Sequence, residues 1–94
     1  MKNYIALPWR ERGASNYRIR HHDRSRWCGC VWYSVHFGAW YFDAYDCNSV
    51  GIFTKPLLDR GVTSKDAAMK TVDAALVAAG WRLINGEDKL AILI

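Results

Sequence analysis

Apolar and polar positions alternate most clearly between Val31 and Ala44, and that period of two predicts a β-hairpin. Gly38-Ala39 is a Gly-X pair, the chemistry of a two-residue type II′ turn. Such a turn sets Phe37 opposite Trp40, Val35 opposite Phe42, Tyr33 opposite Ala44 and Val31 opposite Asp46. Because side chains alternate across a strand, Phe37, Val35, Tyr33, Trp40, Phe42 and Ala44 share one face, the expected core. The opposite face pairs His36 with Tyr41, Ser34 with Asp43, Trp32 with Tyr45 and Cys30 with Cys47. Its polar and aromatic character predicts partial exposure.

The same reading extends outward from the hairpin. Residues 4–7 form an edge strand ended by Pro8, and residues 10–15, with Gly13, Ala14 and Ser15, a loop. Residues 17–20 alternate as a strand with Tyr17 and Ile19 inward and Arg18 and Arg20 outward. A polar turn at 22–25 leads into the hairpin; Asn48 and Ser49 turn the chain again, and residues 50–54 add a strand to an antiparallel meander. Pro56 and Gly61 bracket Leu57 and Leu58, expected to close one end of the core.

From about 64 to 79 the period changes to that of a helix, with Ala68, Val72, Ala75, Leu76 and Ala79 on one face. Ser64 or Thr63 is the N-cap, Asp66 suits the positive first turn, and Gly80 suits the left-handed C′ position. Trp81 would then contact Leu76 in a Schellman ending. Residues 81–84 read as a strand, 85–88 as a turn and 90–94 as a last apolar strand that must be paired or covered, within the domain or across a homodimer. The fold expected is one α+β domain spanning residues 1–94: an antiparallel sheet with the helix on one face, followed by a C-terminal hairpin.

Charge adds one feature. The net charge is +4, and residues 10–26 alone hold six Arg against Glu11 and Asp23, so this segment carries the excess. Arg throughout, with no Lys, favours planar bidentate contact with carboxylate or phosphate, which implies an acidic partner. Three cysteines make an odd number, suited to reduced thiols. No apolar run approaches the ~20 residues that span a bilayer, and the apolar stretch at the start is too short for a signal peptide. A cytoplasmic protein with no membrane contact is expected.

Candidate chemistry concentrates near the hairpin. Cys28, Cys30, Cys47 and His22 invite a zinc site, but a lone C-x-C pair is a weak signal, and His36 lies about 20 Å along the strand from Cys30. The reading preferred is buried, apolar thiols, with no metal and no cofactor. Ser34, His36 and Asp43 share a face, yet a regular hairpin supplies neither an oxyanion hole nor an activated nucleophile, so no catalytic residue is expected. The binding reading rests on Arg18, Arg20, Arg24, Arg26, Trp27, Trp32, Tyr41 and Tyr45, with Trp9 and Arg10 extending the patch. Arg and aromatic residues are the types enriched at protein hot spots, and the same pairing also serves single-stranded nucleic acid. The competing reading makes the arginines a solvated strand face and Trp27 and Trp32 a second small core.

Gly38-Ala39-Trp40-Tyr41-Phe42 ending a strand pair, then Thr63-Ser64-Lys65-Asp66-Ala67-Ala68 opening a helix closed by Gly80-Trp81, resembles small proteins of phages and mobile elements across residues 26–84. Among these are anti-CRISPR-type inhibitors. The resemblance implies a small non-enzymatic domain that blocks a host complex by occupying a surface. The basic balance departs from the acidic, DNA-mimicking members, so the implied partner is an acidic protein surface or a protein–nucleic-acid complex. The expectation is a non-enzymatic binding protein acting through protein–protein contact, with direct nucleic-acid binding as the alternative.

Overall fold

The computed structural model describes residues 4–12, 17–23 and 26–84. Four antiparallel strands form the main sheet in chain order: β2 (Arg10–Glu11), β3 (Tyr17–His21), β4 (Trp27–Ser34) and β5 (Ala39–Ala44). The helix α1 (Lys65–Ala78) packs on one face, as the α+β reading expects. Two short strands, β1 (Ile5–Ala6) and β6 (Arg82–Leu83), pair in parallel as a separate ribbon. The expected hairpin at 85–94 lies outside the described residues.

The helix ends follow their local chemistry. The Ser64 hydroxyl accepts from the Ala67 N–H at 3.1 Å, which satisfies one of the orphan donors of the first turn. Gly80 has φ +99°; its N–H donates to the Val77 carbonyl at 3.0 Å and that of Trp81 to the Leu76 carbonyl at 2.9 Å. That bond pair is the Schellman motif. Leu76 and Trp81 are both buried in the same cluster.

The core lies between α1 and the sheet, where Ala68, Val72 and Leu76 meet Cys28, Val31, Phe42 and Ala44. The helix comes close because β4 places Gly29 beneath it: a Cβ there would stand 2.7 Å from Val72 Cγ1.

The hairpin register differs from expectation by four places. Ser34 pairs with Ala39, Tyr33 with Trp40, Trp32 with Tyr41 and Val31 with Phe42. Four residues, Val35 to Gly38, form the loop. The Ser34 carbonyl accepts from Gly38 N–H at 2.8 Å and its hydroxyl from Phe37 N–H at 3.2 Å, so the loop closes at Ser34, and Gly38 takes its positive φ of 63° at the last loop position. Since the side-chain period is two, an even shift keeps each remaining strand residue on its expected face. Val35 and Phe37, expected in the core, instead stand in the loop, and Tyr33, on the expected face at the strand's end, is 36% exposed.

Three further expectations are corrected. Residues 50–54 make a single bridge, Tyr45 to Gly51, and then leave the sheet. The Arg60 guanidinium takes the Lys55 and Phe53 carbonyls at 3.0 and 3.3 Å, acceptors that a continuing strand would have paired. Arg10 and Glu11, read as loop, pair with Ile19 and Arg18 as an edge strand. Finally, β3 turns its faces the other way. Arg20 pairs with Gly29 and Arg18 with Val31, so both arginines are on the helix side, and Ile19 is on the outer side beside Cys30.

Candidate protein-contact surface

The predicted eight-residue patch separates into parts. Arg20 leaves it entirely. Its side chain is 1% exposed; Nε donates to Asp73 Oδ1 at 2.9 Å, and Nη1 donates to the carbonyls of Leu7 at 2.6 Å, Ile84 at 2.9 Å and Ala6 at 3.2 Å. Trp9 Nε1 donates to the same Asp73 oxygen at 3.0 Å, and the guanidinium lies 5.5 Å from the Trp9 ring centre. This cation ties β1, β6 and α1 to the sheet and presents nothing outward. Arg18 pairs with Glu11 at 3.2 Å. Arg24 lies outside the described residues.

Arg26, Trp27 and Tyr45 remain together at one end of the sheet. Trp27 is 36% exposed and meets Tyr45 edge to face at 4.8 Å. Arg26 is braced against the Ser49 hydroxyl and donates to the Cys47 carbonyl at 3.0 Å. Trp32 and Tyr41 lie about 14 Å further along the strands, stacked at 6.2 Å. The chain passes over this second pair after β5. A 3₁₀ turn, Leu57–Arg60, followed by Gly61, lies against the outer side of Tyr41, and Arg60 anchors it to Asp43 at 3.1 Å. Tyr41 is therefore buried, not open as expected.

What the 3₁₀ turn builds instead is a groove of about 90 Å³ lined by Trp32, Ser34, Phe37, Tyr41, Leu57 and Leu58. Around it stand the most exposed large apolar side chains of this end: Val35 at 87%, Leu58 at 63% and Phe37 at 56%. Exposed apolar side chains gathered around a groove make this end the candidate contact site. Residues 31–42 contain no Asp, Glu, Lys or Arg, so the hairpin side of the groove holds no carboxylate, ammonium or guanidinium, while Lys55 and Asp59 flank the Leu57–Leu58 side. Sequence reasoning placed Val35, Phe37, Leu57 and Leu58 in the core. The absence of charge through this stretch and the Leu-Leu pair after Pro56 were the available signals.

The other candidate groupings are drawn apart. A bulge between Arg20 and His21 sets Trp27 opposite His21. Cys28 joins the core cluster with Val31, whereas Cys30 lies opposite Asp43. The Cys28 and Cys47 thiols donate to the Arg20 and Ala79 carbonyls at 3.6 and 3.4 Å. Burial pushes the Cys28 thiol up to about 12 and also raises Cys47, which disfavours the thiolate that metal binding and nucleophilic attack require. No group of three His, Cys, Asp or Glu side chains among the described residues is arranged to hold a metal ion. Ser34 now faces Ala39, and the Asp43 carboxylate is held by Arg60, so the expected Ser34–Asp43 pairing does not form. Among the described residues no helix is long and apolar enough to cross a membrane. No protein-family model, curated protein or solved structure matches the chain.

Proposed function

We propose that this chain is a non-enzymatic, cytoplasmic binding protein that acts through protein–protein contact, in the manner of a phage-type inhibitor of a host defence complex such as CRISPR–Cas. The observation that carries the contact reading is the groove rimmed by the exposed apolar side chains Val35, Phe37 and Leu58. Such side chains gain about 25 cal/mol for each Å² of apolar surface removed from water, and all three stand exposed among the described residues. Exposed Arg10, Arg12 and Arg26 keep an acidic surface in the reading of the partner.

The test is inhibition and capture of purified Cas effector complexes by the wild type, by Phe37→Asp and by Leu58→Asp. Retained folding with loss of capture in both variants supports the reading. Capture that ignores both, or no capture by the wild type, removes it. Direct nucleic-acid binding is the second reading, supported by Arg26 beside the exposed Trp27 ring. It is weakened by Arg20 being internal and Arg18 ion-paired, because phosphate tracking needs several available cations. A mobility shift that falls steeply with salt and is lost in Arg26→Glu would reverse the order.

A further inference from the structure

We propose that the open edge of β5 binds a free α-amino acid with an apolar side chain. The proposal goes beyond the protein-contact reading and stands on different residues. The 3₁₀ turn gives Leu57 and Leu58 to the groove, whereas Asp59 and Arg60 line a second pocket of about 400 Å³. Small-molecule sites are typically ~300–1,000 Å³.

A break in the sheet edge supplies the polar end of this pocket. Trp40 exchanges both backbone bonds with Val62 at 2.8 Å, and the Ala44 carbonyl accepts from the Ile52 N–H at 3.0 Å. Backbone groups alternate in direction along an antiparallel strand. Phe42, between these two residues, therefore also turns its N–H and carbonyl away from β4. The carbonyl accepts from Arg60 Nη1 at 3.4 Å. The N–H meets no acceptor among the described residues, although Phe42 is only 5% exposed. Buried backbone donors in this state are rare.

Arg60 brings a second donor beside it. Nε and Nη2 donate to the Lys55 and Phe53 carbonyls, and Nη1 to the Phe42 carbonyl and Asp43 Oδ1. These bonds fix the guanidinium and leave one Nη2 hydrogen unspent. Two neighbouring N–H donors, one of them charged, suit a carboxylate.

The remaining lining narrows the ligand. Asp59, next in sequence to Arg60, lines the same pocket, and its carboxylate has no ion pair or hydrogen bond among the described residues. It suits the ammonium group that an α-amino acid carries one carbon from its carboxylate. Lys55 lines the pocket too and offsets Asp59, while Arg60 is offset by Asp43. A balanced lining fits a zwitterion better than a simple anion. The Phe42 and Phe53 rings, edge to face at 4.9 Å, and Val62 form the apolar wall for the side chain.

Titration of the isotope-labelled full chain, followed by two-dimensional amide NMR, tests this. L-phenylalanine is expected to shift the Phe42 amide resonance saturably. Phenylpropionate, without the ammonium group, should bind about tenfold more weakly or worse, the scale of one lost hydrogen bond to a charged group. Phenethylamine, without the carboxylate, should leave the Phe42 amide unmoved. Asp59→Asn should weaken phenylalanine by a similar factor and leave phenylpropionate unchanged. Asp59 is exposed, and the same spectra report whether the variant is folded. A Phe42 amide that phenylalanine does not move overturns the proposal. So does phenylpropionate or phenethylamine matching phenylalanine, or an Asp59→Asn variant of unchanged affinity.

Discussion

Arg20 and Asp73, 53 residues apart in sequence, meet at 2.9 Å beneath the sheet with the guanidinium 1% exposed. The pair joins β3, an inner strand of the meander, to the helix, and Nη1 of Arg20 holds β1 and the residue following β6. A residue that composition assigns to the surface is thereby a fastening of the interior. Substituting it should affect folding before it affects any partner.

Arg20→Ala removes the charged donor of the Asp73 carboxylate, which keeps the Trp9 indole N–H, and the side-chain donor shared by the carbonyls of Ala6, Leu7 and Ile84. Removing one partner of a buried ion pair typically costs ~3–5 kcal/mol. Urea unfolding should show a loss on that scale, while Arg18→Ala, whose pair with Glu11 is half exposed, should change stability by at most ~1 kcal/mol.

Gly29→Ala places a methyl group 2.7 Å from Val72 Cγ1. Overpacking of this kind costs ~1–3 kcal/mol. Val72→Ala creates the reciprocal void, so the double variant should be more stable than the sum of the singles predicts, with a coupling of ~1 kcal/mol in a thermodynamic cycle.

The two helix ends should respond separately. Ser64→Ala removes the hydroxyl that accepts from Ala67 and should cost ~1 kcal/mol. Gly80→Ala forces a Cβ into φ +99° and should cost ~1–2 kcal/mol. The sites lie at opposite ends of α1, so thermal melts of the double variant should show additive losses.

The Cys28 thiol should resist modification in the folded protein. Its ordinary value of 9.0 is pushed up to about 12 by burial. A thiol reagent near neutral pH is expected to leave it unmodified until denaturant is added. Between these two values the unfolded chain releases the proton while the folded chain keeps it. Stability therefore falls as pH rises through that window. Cys28→Ala should lack this part of the alkaline loss in denaturation curves measured at increasing pH.

Much of the helix was legible because its signals are local. Ser64, Gly80 and the spacing of Ala68, Val72 and Leu76 act within a few residues, and each behaves as read. The hairpin faces of β4 and β5 were legible for a related reason: alternation survives any even slip in register. The slip itself was not legible. Gly38 suited both a two-residue turn and the last position of a longer loop, and the choice followed from the bonds made by Ser34 and the pairing of two whole strands.

The sequence by itself determined the α+β class, the helix with its caps and the two-sidedness of the central hairpin, since periodicity and capping depend on neighbours along the chain. Only the tertiary structure decided which arginines are free to meet a partner and which aromatic residues are open. Arg20 is internal because Asp73 and three backbone carbonyls from distant segments converge on it. Trp32 and Tyr41 became the floor of a groove because Arg60 pins Leu57 and Leu58 above them. Alternation on a strand distinguishes two faces, but it does not say which one a distant carboxylate or a returning loop will cover.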